Sequence, residues 1–373
     1  MQISENQSAV RPAWILPTPL RTDEEPPKGL KNILLHLMQG QNIKREEARH
    51  LLDELLSDKA TDTQISAALV ALAIKGETIE ELAGMAEAMR EHSVKINTIH
   101  TDFIDTAGTG SSKVKTFNVS TAAAFVIAGA GLPVAKHGSR AATSLSGSAD
   151  VLSALGVNVS ASRETSEKCL NEIGICFMFA PLYHASTARV AAVRRELGVH
   201  TTFNLLGPMT NPANAPFQIM GVWHKALVPQ VAETLRALGT KRAWVVHGLD
   251  GLDEITVSDK TLIAEVTPEF LKFFEIAPED LGFKRVSIAD LENLRGGNPE
   301  KNAEIIKEVL ENRREEAARS LVLLNAAAAI YVGGKAENLE EAVELATTSL
   351  ESGKALEKLN NLVSLTNGAE TRA

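Results

Sequence analysis

Aromatic residues make up only 4% of the 373 residues, and cysteine occurs twice. With so few rings the core must be filled by Ala, Leu, Val and Ile, which suits helices packed closely on a sheet. Cys169 and Cys176 match no zinc or haem spacing, and a lone disulfide does not persist in a reducing compartment, so both are expected to be core residues. No run approaches the roughly 20 apolar residues of a membrane span. The opening MQISENQSAV lacks the apolar segment of a signal peptide, so a cytoplasmic protein without membrane contact is expected. Positive charge is in deficit too. Thirty-eight basic against 47 acidic residues give a formal charge of −9, which argues against a nucleic-acid partner unless cations gather on one face.

Length favours one large domain plus a smaller one. Residues 1–28 carry five prolines and no sustained periodicity, and read as an extended or disordered lead-in where only Trp14 and Ile15 are suited to docking. Residues 29–98 read as a small all-α domain of four short helices. Leu30, Ile33, Leu34 and Leu37 repeat at helical spacing, and Asn42 is placed to cap a helix that includes KREEARHLLDELLS. Asp62-Thr63 opens a third helix that Gly76 closes, and Thr78 with Glu81 forms a capping box for the fourth. From residue 99 to 373 short apolar runs alternate with helical stretches, the texture of an α/β domain with a central, mostly parallel sheet. Strands are expected in FIDTAG, PVAKHG, CFMFA, FQIMGVW, RAWVVHG and LIAEV. Helices are expected in TAAAFVIAGAG, SADVLSALG, HASTARVAAVRRELG, LVPQVAETLRALG, NAEIIKEVLENRR and SLVLLNAAAAIYVGG, followed by two amphipathic ones.

The chemistry-bearing stretches fall in the α/β part. In residues 105–131 a strand ends near Asp105, a loop with Gly108 and Gly110 follows, and a helix begins near Ser120. Asn118, Ser120 and Thr121 then lie where a helix N-terminus exposes free N–H groups, an anion site that Lys113 and Lys115 reinforce. A plain strand-to-helix turn would show the glycines, but not the added lysines and hydroxyls. In residues 132–156 a strand ends at Ala135, and Lys136, His137 and Arg140 follow with many hydroxyls, a set suited to a polyphosphate at a strand's carboxyl end. No acidic residue occurs among the 44 between Asp105 and Asp150. Residues 184–197 read as an amphipathic helix on which Arg194 is able to clamp a carboxylate, although a single helix arginine is more often a surface residue. Asp253 and Glu254, in a loop after RAWVVHG, offer oxygens suited to Mg²⁺.

Taken in order, GTG, TFNVSTAAAF, VAKHG, SGSADVLSALGVN, APLYH, VRRELG, TFNLLGPMTNPA, GLDE and the LRGG at residues 294–297 resemble the anthranilate phosphoribosyltransferase family of tryptophan biosynthesis. The resemblance spans most of residues 30–365. It implies a fold of the nucleoside phosphorylase and phosphoribosyltransferase type, with residues of about 186–205 rejoining the small domain. It also implies transfer of a phosphoribosyl group from 5-phosphoribosyl 1-pyrophosphate (PRPP) to anthranilate with Mg²⁺, in a homodimer formed through the helical domain. By position, Gly108, Ser111, Ser112, Thr116, Asn118, Val119, Ser120 and Thr121 would hold the donor. Lys136, His137, Gly138, Ser139, Arg140 and Ser144 would form a flexible loop over its pyrophosphate, with Ser148 nearby. Ser120, Asp253 and Glu254 would coordinate the metal; Gly108, His137, Ser139, His184 and Arg194 would face anthranilate; and Lys136, His137 and Arg194 would be the catalytic group.

Three departures stand out. Ser111, Ser112 and Lys113 replace the family's Gly-Gly-Asp, which is expected to alter metal dependence rather than abolish donor binding. Ser139 replaces an asparagine, which bears on the acceptor, and His200 stands where arginine is common. Two other readings compete. A pyrimidine nucleoside phosphorylase would need a KxSTGG phosphate loop, absent here. A nucleic-acid-binding relative would fit poorly with the acidic balance and the Asp253-Glu254 pair.

Overall fold

A computed structural model describes residues 29–110, 112, 114–141, 145–313 and 317–368. The small domain is built as its caps dictate. Helices Leu30–Met38, Arg45–Leu56, Asp62–Lys75 and Ile79–Glu91 follow one another with no strand between them. Thr61 and Thr78 cap the last two by accepting from Gln64 N and Glu81 N, and Gly76 ends the third at a φ of 79°. Glu81 is fully buried and saturated: it accepts from Ile43 N, Thr78 N and Lys75 Nζ at 2.7–2.9 Å. A buried charge is tolerated only with such partners. Asn42 does not cap the second helix as expected. Lys44 occupies that position, Glu47 reaches back to its N–H, and Asn42 Oδ1 accepts from Lys75 Nζ instead.

The large domain holds one seven-stranded sheet. Strands β1 (Ile104–Gly108), β2 (Val134–Gly138), β3 (Ile175–Phe179), β4 (Phe217–Gly221) and β5 (Arg242–Gly248) are parallel. Strands β6 (Thr261–Val266) and β7 (Leu271–Ile276) return antiparallel. Their order is β3-β2-β1-β4-β5-β6-β7. The chain therefore winds outward from β1 through β3 and restarts on β1's other side with β4. Ligand crevices form beyond the carboxyl ends of strands at such a reversal.

Two apolar cores hold the layers. One wraps the helix Val119–Gly129, whose residues are almost all buried beneath helices Ala317–Val332 and Lys354–Thr366. The other joins the small domain to Met220, Val245 and Ala264 on the sheet, and includes Val190, Val193, Phe203 and Leu205. Cys169 and Cys176 are free and buried. No helix among the described residues is long and apolar enough to cross a membrane.

Several boundaries differ from expectation. β1 and β2 run to Gly108 and Gly138, as the stretches FIDTAG and PVAKHG predict, rather than stopping at Asp105 and Ala135 where the ligand loops were expected to begin. The helix expected from residue 184 begins at Ala188, after a 3₁₀ turn at Ala185–Thr187. Strand β7 and helices Arg163–Ile173 and Phe203–Met209 were not anticipated.

Candidate active site

The reversal between β1 and β4 brings three segments together. β1 ends at Gly108, the helix Val119–Gly129 points its N-terminus at the same crevice, and the loop carrying Asp253 and Glu254 folds over the end of β4. A cavity of about 10 Å³ lies among Thr106, Gly108, Ser120, Gly221, Glu254 and Asn325. The close approach depends on glycine: a Cβ at Gly221 would lie 1.6 Å from the Asp253 carbonyl oxygen, and one at Gly108 would lie 3.4 Å from Asp253 Oδ2. Gly110 turns the loop out of β1 with a φ of 64°, a conformation other residues rarely take.

Lys136 does not open a flexible loop. It lies within β2 and is 4% exposed; its Nζ donates to the Thr106 carbonyl, with Thr106 Oγ1 at 3.3 Å and Ser120 Oγ at 3.5 Å. Burial lowers its pKa, while the charges of Asp105 and Glu254 pull it back up. Asp105 is the acid below it. Burial raises that carboxyl to about 6 against the pull of Lys136, and Asp105 Oδ1 accepts from His137 N at 3.2 Å. Glu254, half-buried, is pushed up to about 8 by burial and then by Asp253, against Lys136 and hydrogen bonds from Ser120. An acid–cation–acid chain thus runs from the floor of the sheet to the metal-suited dipeptide.

The donor side is tied down by polar contacts. Asn118 Oδ1 accepts from Ser146 Oγ at 3.2 Å and Asn302 Nδ2 at 2.9 Å, so the side chain at the helix start bonds a neighbouring loop and the helix Pro299–Leu310 rather than its own helix. Val119 and Thr121 are buried, and Thr116 is half-buried with its carbonyl against Gly296 of the LRGG segment. Ser112 turns inward, donating to the Val114 carbonyl at 2.8 Å. Gly138 ends β2 where a Cβ would meet Ser148 Oγ, and Ser148 Oγ donates to the Ser139 carbonyl at 3.4 Å. Arg140 is not an unpaired cation: it meets Asp150 at 2.7 Å and lies over the Phe179 ring. Asp150, the acid closing the acid-free stretch, also accepts from Ala141 N and Gly147 N. Ser111, Lys113, Thr143 and Ser144 lie outside the described residues.

On the other flank His137 and His184, both buried, bring their rings to 5.1 Å. His184 Nε2 contacts the Thr210 carbonyl at 3.1 Å, and neither His137 Nε2 nor His184 Nδ1 has a hydrogen-bond partner among the described residues. Burial holds His137 down to about 3 and His184 down to about 4, so both are neutral at pH 7. His137 also borders the backbone of Gly207 on the helix Phe203–Met209, at whose start Arg194 is anchored. Arg194 donates to Thr201 Oγ1 at 2.9 Å and Asn204 Oδ1 at 3.2 Å and lies over the Phe203 ring. These are neutral partners, so its charge is available to an anion. Sequence reasoning overlooked Asp105 and Gly221; an ionisable residue inside the apolar strand FIDTAG, and a glycine ending an interior strand, were the signals for them.

Comparison with known proteins matches this architecture from both ends. The glycosyl transferase family helical bundle domain matches residues 31–93, and the glycosyl transferase family a/b domain matches residues 100–356. Anthranilate phosphoribosyltransferase of Methanobrevibacter smithii is 46% identical over 338 residues, covering 91% of this chain and 99% of its own. The chain belongs to the anthranilate phosphoribosyltransferase family. The family enzyme of Anaeromyxobacter dehalogenans is 47% identical over 90% of this chain and 98% of its own. Among solved family structures, that of Thermus thermophilus superposes with a TM-score of 0.84 at 38% identity, covering 90% of this chain and 99% of its own. That of Saccharomyces cerevisiae in complex with PRPP and Mg superposes with a TM-score of 0.82 at 28% identity, covering 91% and 98%.

Proposed function

We infer that the protein transfers the phosphoribosyl group of PRPP to the amine of anthranilate and releases pyrophosphate, the second step of tryptophan biosynthesis from chorismate. One observation carries the reading. A helix N-terminus free of acids and an oxygen-only carboxylate pair meet at the β1–β4 reversal, while the neighbouring strand β2 carries His137 of a neutral histidine pair whose backbone bonds Asp105 of β1. Magnesium fits this donor set. The carboxylates of Asp253 and Glu254 and the Ser120 hydroxyl supply oxygen alone, no cluster of three His, Cys, Asp or Glu occurs among the described residues, and Mg²⁺ takes few protein ligands beside waters and substrate phosphates. When bound it supplies positive charge to the leaving pyrophosphate.

The remaining work falls to the chain. Backbone N–H groups at the start of Val119–Gly129 receive phosphate oxygens with the helix dipole. Lys136 balances Asp105 and Glu254 from inside the sheet. The neutral His137 and His184 place no cation against C1 of the ribose as it gains oxocarbenium character, and their unpartnered nitrogens are suited to orienting the acceptor. The aromatic amine attacks with its own lone pair, so positioning rather than a strong base is what the site must provide. Arg194 takes the acceptor's carboxylate. Loss of anthranilate fluorescence that requires both PRPP and Mg²⁺ tests the assignment; no loss with both present refutes it. Arg194→Ala should raise the anthranilate KM roughly 10- to 100-fold, the value of about 1.5–3 kcal/mol for a bond to a charged group. Lysine should not rescue it, since the planar fork is lost. Equal rises in both substrates' KM values would deny Arg194 an acceptor role.

We further propose cytoplasmic action as a homodimer through the small domain, which residues of about 186–205 rejoin by way of the shared core. Leu35 and Met38 on one helix and Ile74 on the helix packed beside it are 46%, 55% and 81% exposed, an apolar face that monomers seldom present. Ile74→Glu should yield monomers in sedimentation at micromolar concentration. A variant that sediments like the wild-type dimer would rule this face out.

A further inference from the structure

Asn325 is the one polar residue among the twelve buried in the helix Ala317–Val332; the others are Ala, Leu, Val or Ile. A carboxamide in such surroundings persists only if its donors and acceptor are satisfied. Asn325 satisfies them in a particular way. Its Oδ1 accepts from Ile255 N at 3.0 Å and its Nδ2 donates to the Ile255 carbonyl at 2.9 Å, while the second amide hydrogen goes to the Leu321 carbonyl at 2.8 Å. Both backbone groups of one residue are gripped by one side chain. That residue directly follows Glu254. Asn325 also borders the cavity shared by Gly108, Ser120 and Glu254.

The dipeptide is secured from its other side as well. Asp250 accepts from Leu252 N at 3.1 Å and from the Thr256 and Ser258 hydroxyls. Asp253 and Glu254 therefore span the short gap between two fixed points, with the end of β4 pressed beneath them. We propose that Asn325 is a positioning residue for the metal-binding dipeptide, holding its backbone in the working geometry before any cation arrives. This deepens the reading above and rests on it. Mg²⁺ demands near-ideal geometry, and partners that orient its ligands typically govern 10- to 100-fold in metal affinity.

The test uses the full-length enzyme with Mn²⁺ as a paramagnetic substitute for Mg²⁺, titrated with PRPP and no anthranilate, so that nothing turns over. Asn325→Ala should weaken Mn²⁺ binding roughly 10- to 100-fold. Its anthranilate KM should stay within about twofold of wild type, and high Mg²⁺ should restore kcat, which a general loss of structure would not allow. Unchanged Mn²⁺ affinity beside a lowered Tm overturns the proposal. Should the variant not fold, hydrogen exchange on the wild type decides: the Ile255 amide should be as protected without metal as with Mg²⁺ and PRPP, and fast exchange in the metal-free protein overturns it. A wild type that takes up no Mn²⁺ with PRPP overturns the functional reading too, whereas equal affinities in wild type and variant remove this inference alone.

Discussion

Glu254→Gln should lower turnover roughly 10²- to 10³-fold at saturating substrates and millimolar Mg²⁺, and should make the metal-free protein more heat-stable. The two effects share one cause. Burial and the neighbouring Asp253 push the Glu254 carboxyl up to about 8, so in the metal-free fold it is mostly protonated at pH 7, and ionising it costs free energy that only a cation would offset. A folded pKa raised above the unfolded value means the native state binds more protons than the unfolded chain. Stability from this group is then full below about pH 4.5 and lost as pH rises through about 8. The neutral amide removes that loss. In chelator, the variant's Tm should exceed the wild type's by about 1–2 °C at pH 8, on the order of 1 kcal/mol, and the gap should close toward pH 5. With Mg²⁺ and PRPP the order should invert, because the wild type gains ligand stabilisation that the variant lacks. A variant with wild-type kcat, or Tm curves that run parallel with pH, would show that Glu254 is neither strained nor used.

That strain explains why part of the site was readable and part was not. Some local signals were legible as geometry: the Gly-rich turn ahead of a helix and the Asp-Glu pair after a strand meet at one cavity. The acid-free stretch proved meaningful at its ends, since Asp105 lies under Lys136 and Asp150 braces the loop with Arg140. Lys136 was expected at the start of a loop because of its charge, whereas buried Asp105 and half-buried Glu254 hold that charge inside β2. Helix Arg163–Ile173 escaped notice because it has only three apolar residues, Cys169, Leu170 and Ile173, too few for a clear stripe; its better marks were the Ser162 cap and Gly174 at a φ of 71°. β7 escaped because an edge strand with Phe273 outward shows no clean alternation. Asn325 lies 70 residues from the backbone it grips, a pairing no local pattern encodes.

Gly221→Ala should reduce kcat/KM for PRPP by a further large factor, about 10²-fold or more, with only one methyl group added. The added Cβ would fall 1.6 Å from the Asp253 carbonyl oxygen and 2.6 Å from its carbon, and both are main-chain atoms. Neither side can easily give way. Gly221 ends an interior strand paired to β1 and β5, and the opposing loop is tethered through Asp250 and Asn325. The clash is therefore resolved by moving Asp253 and Glu254 off the crevice, at a stability cost of about 1–3 kcal/mol. Gly110→Ala is the contrasting variant. A methyl there meets nothing within 4 Å among the described residues, and the φ of 64° resists it, so about 1 kcal/mol of stability should be lost. If approach rather than backbone freedom is what the glycine supplies, Gly221→Ala should need far more Mg²⁺ for half-maximal rate than either Gly110→Ala or the wild type. Equal Mg²⁺ requirements in all three proteins would mean that the end of β4 does not set the position of the carboxylate pair.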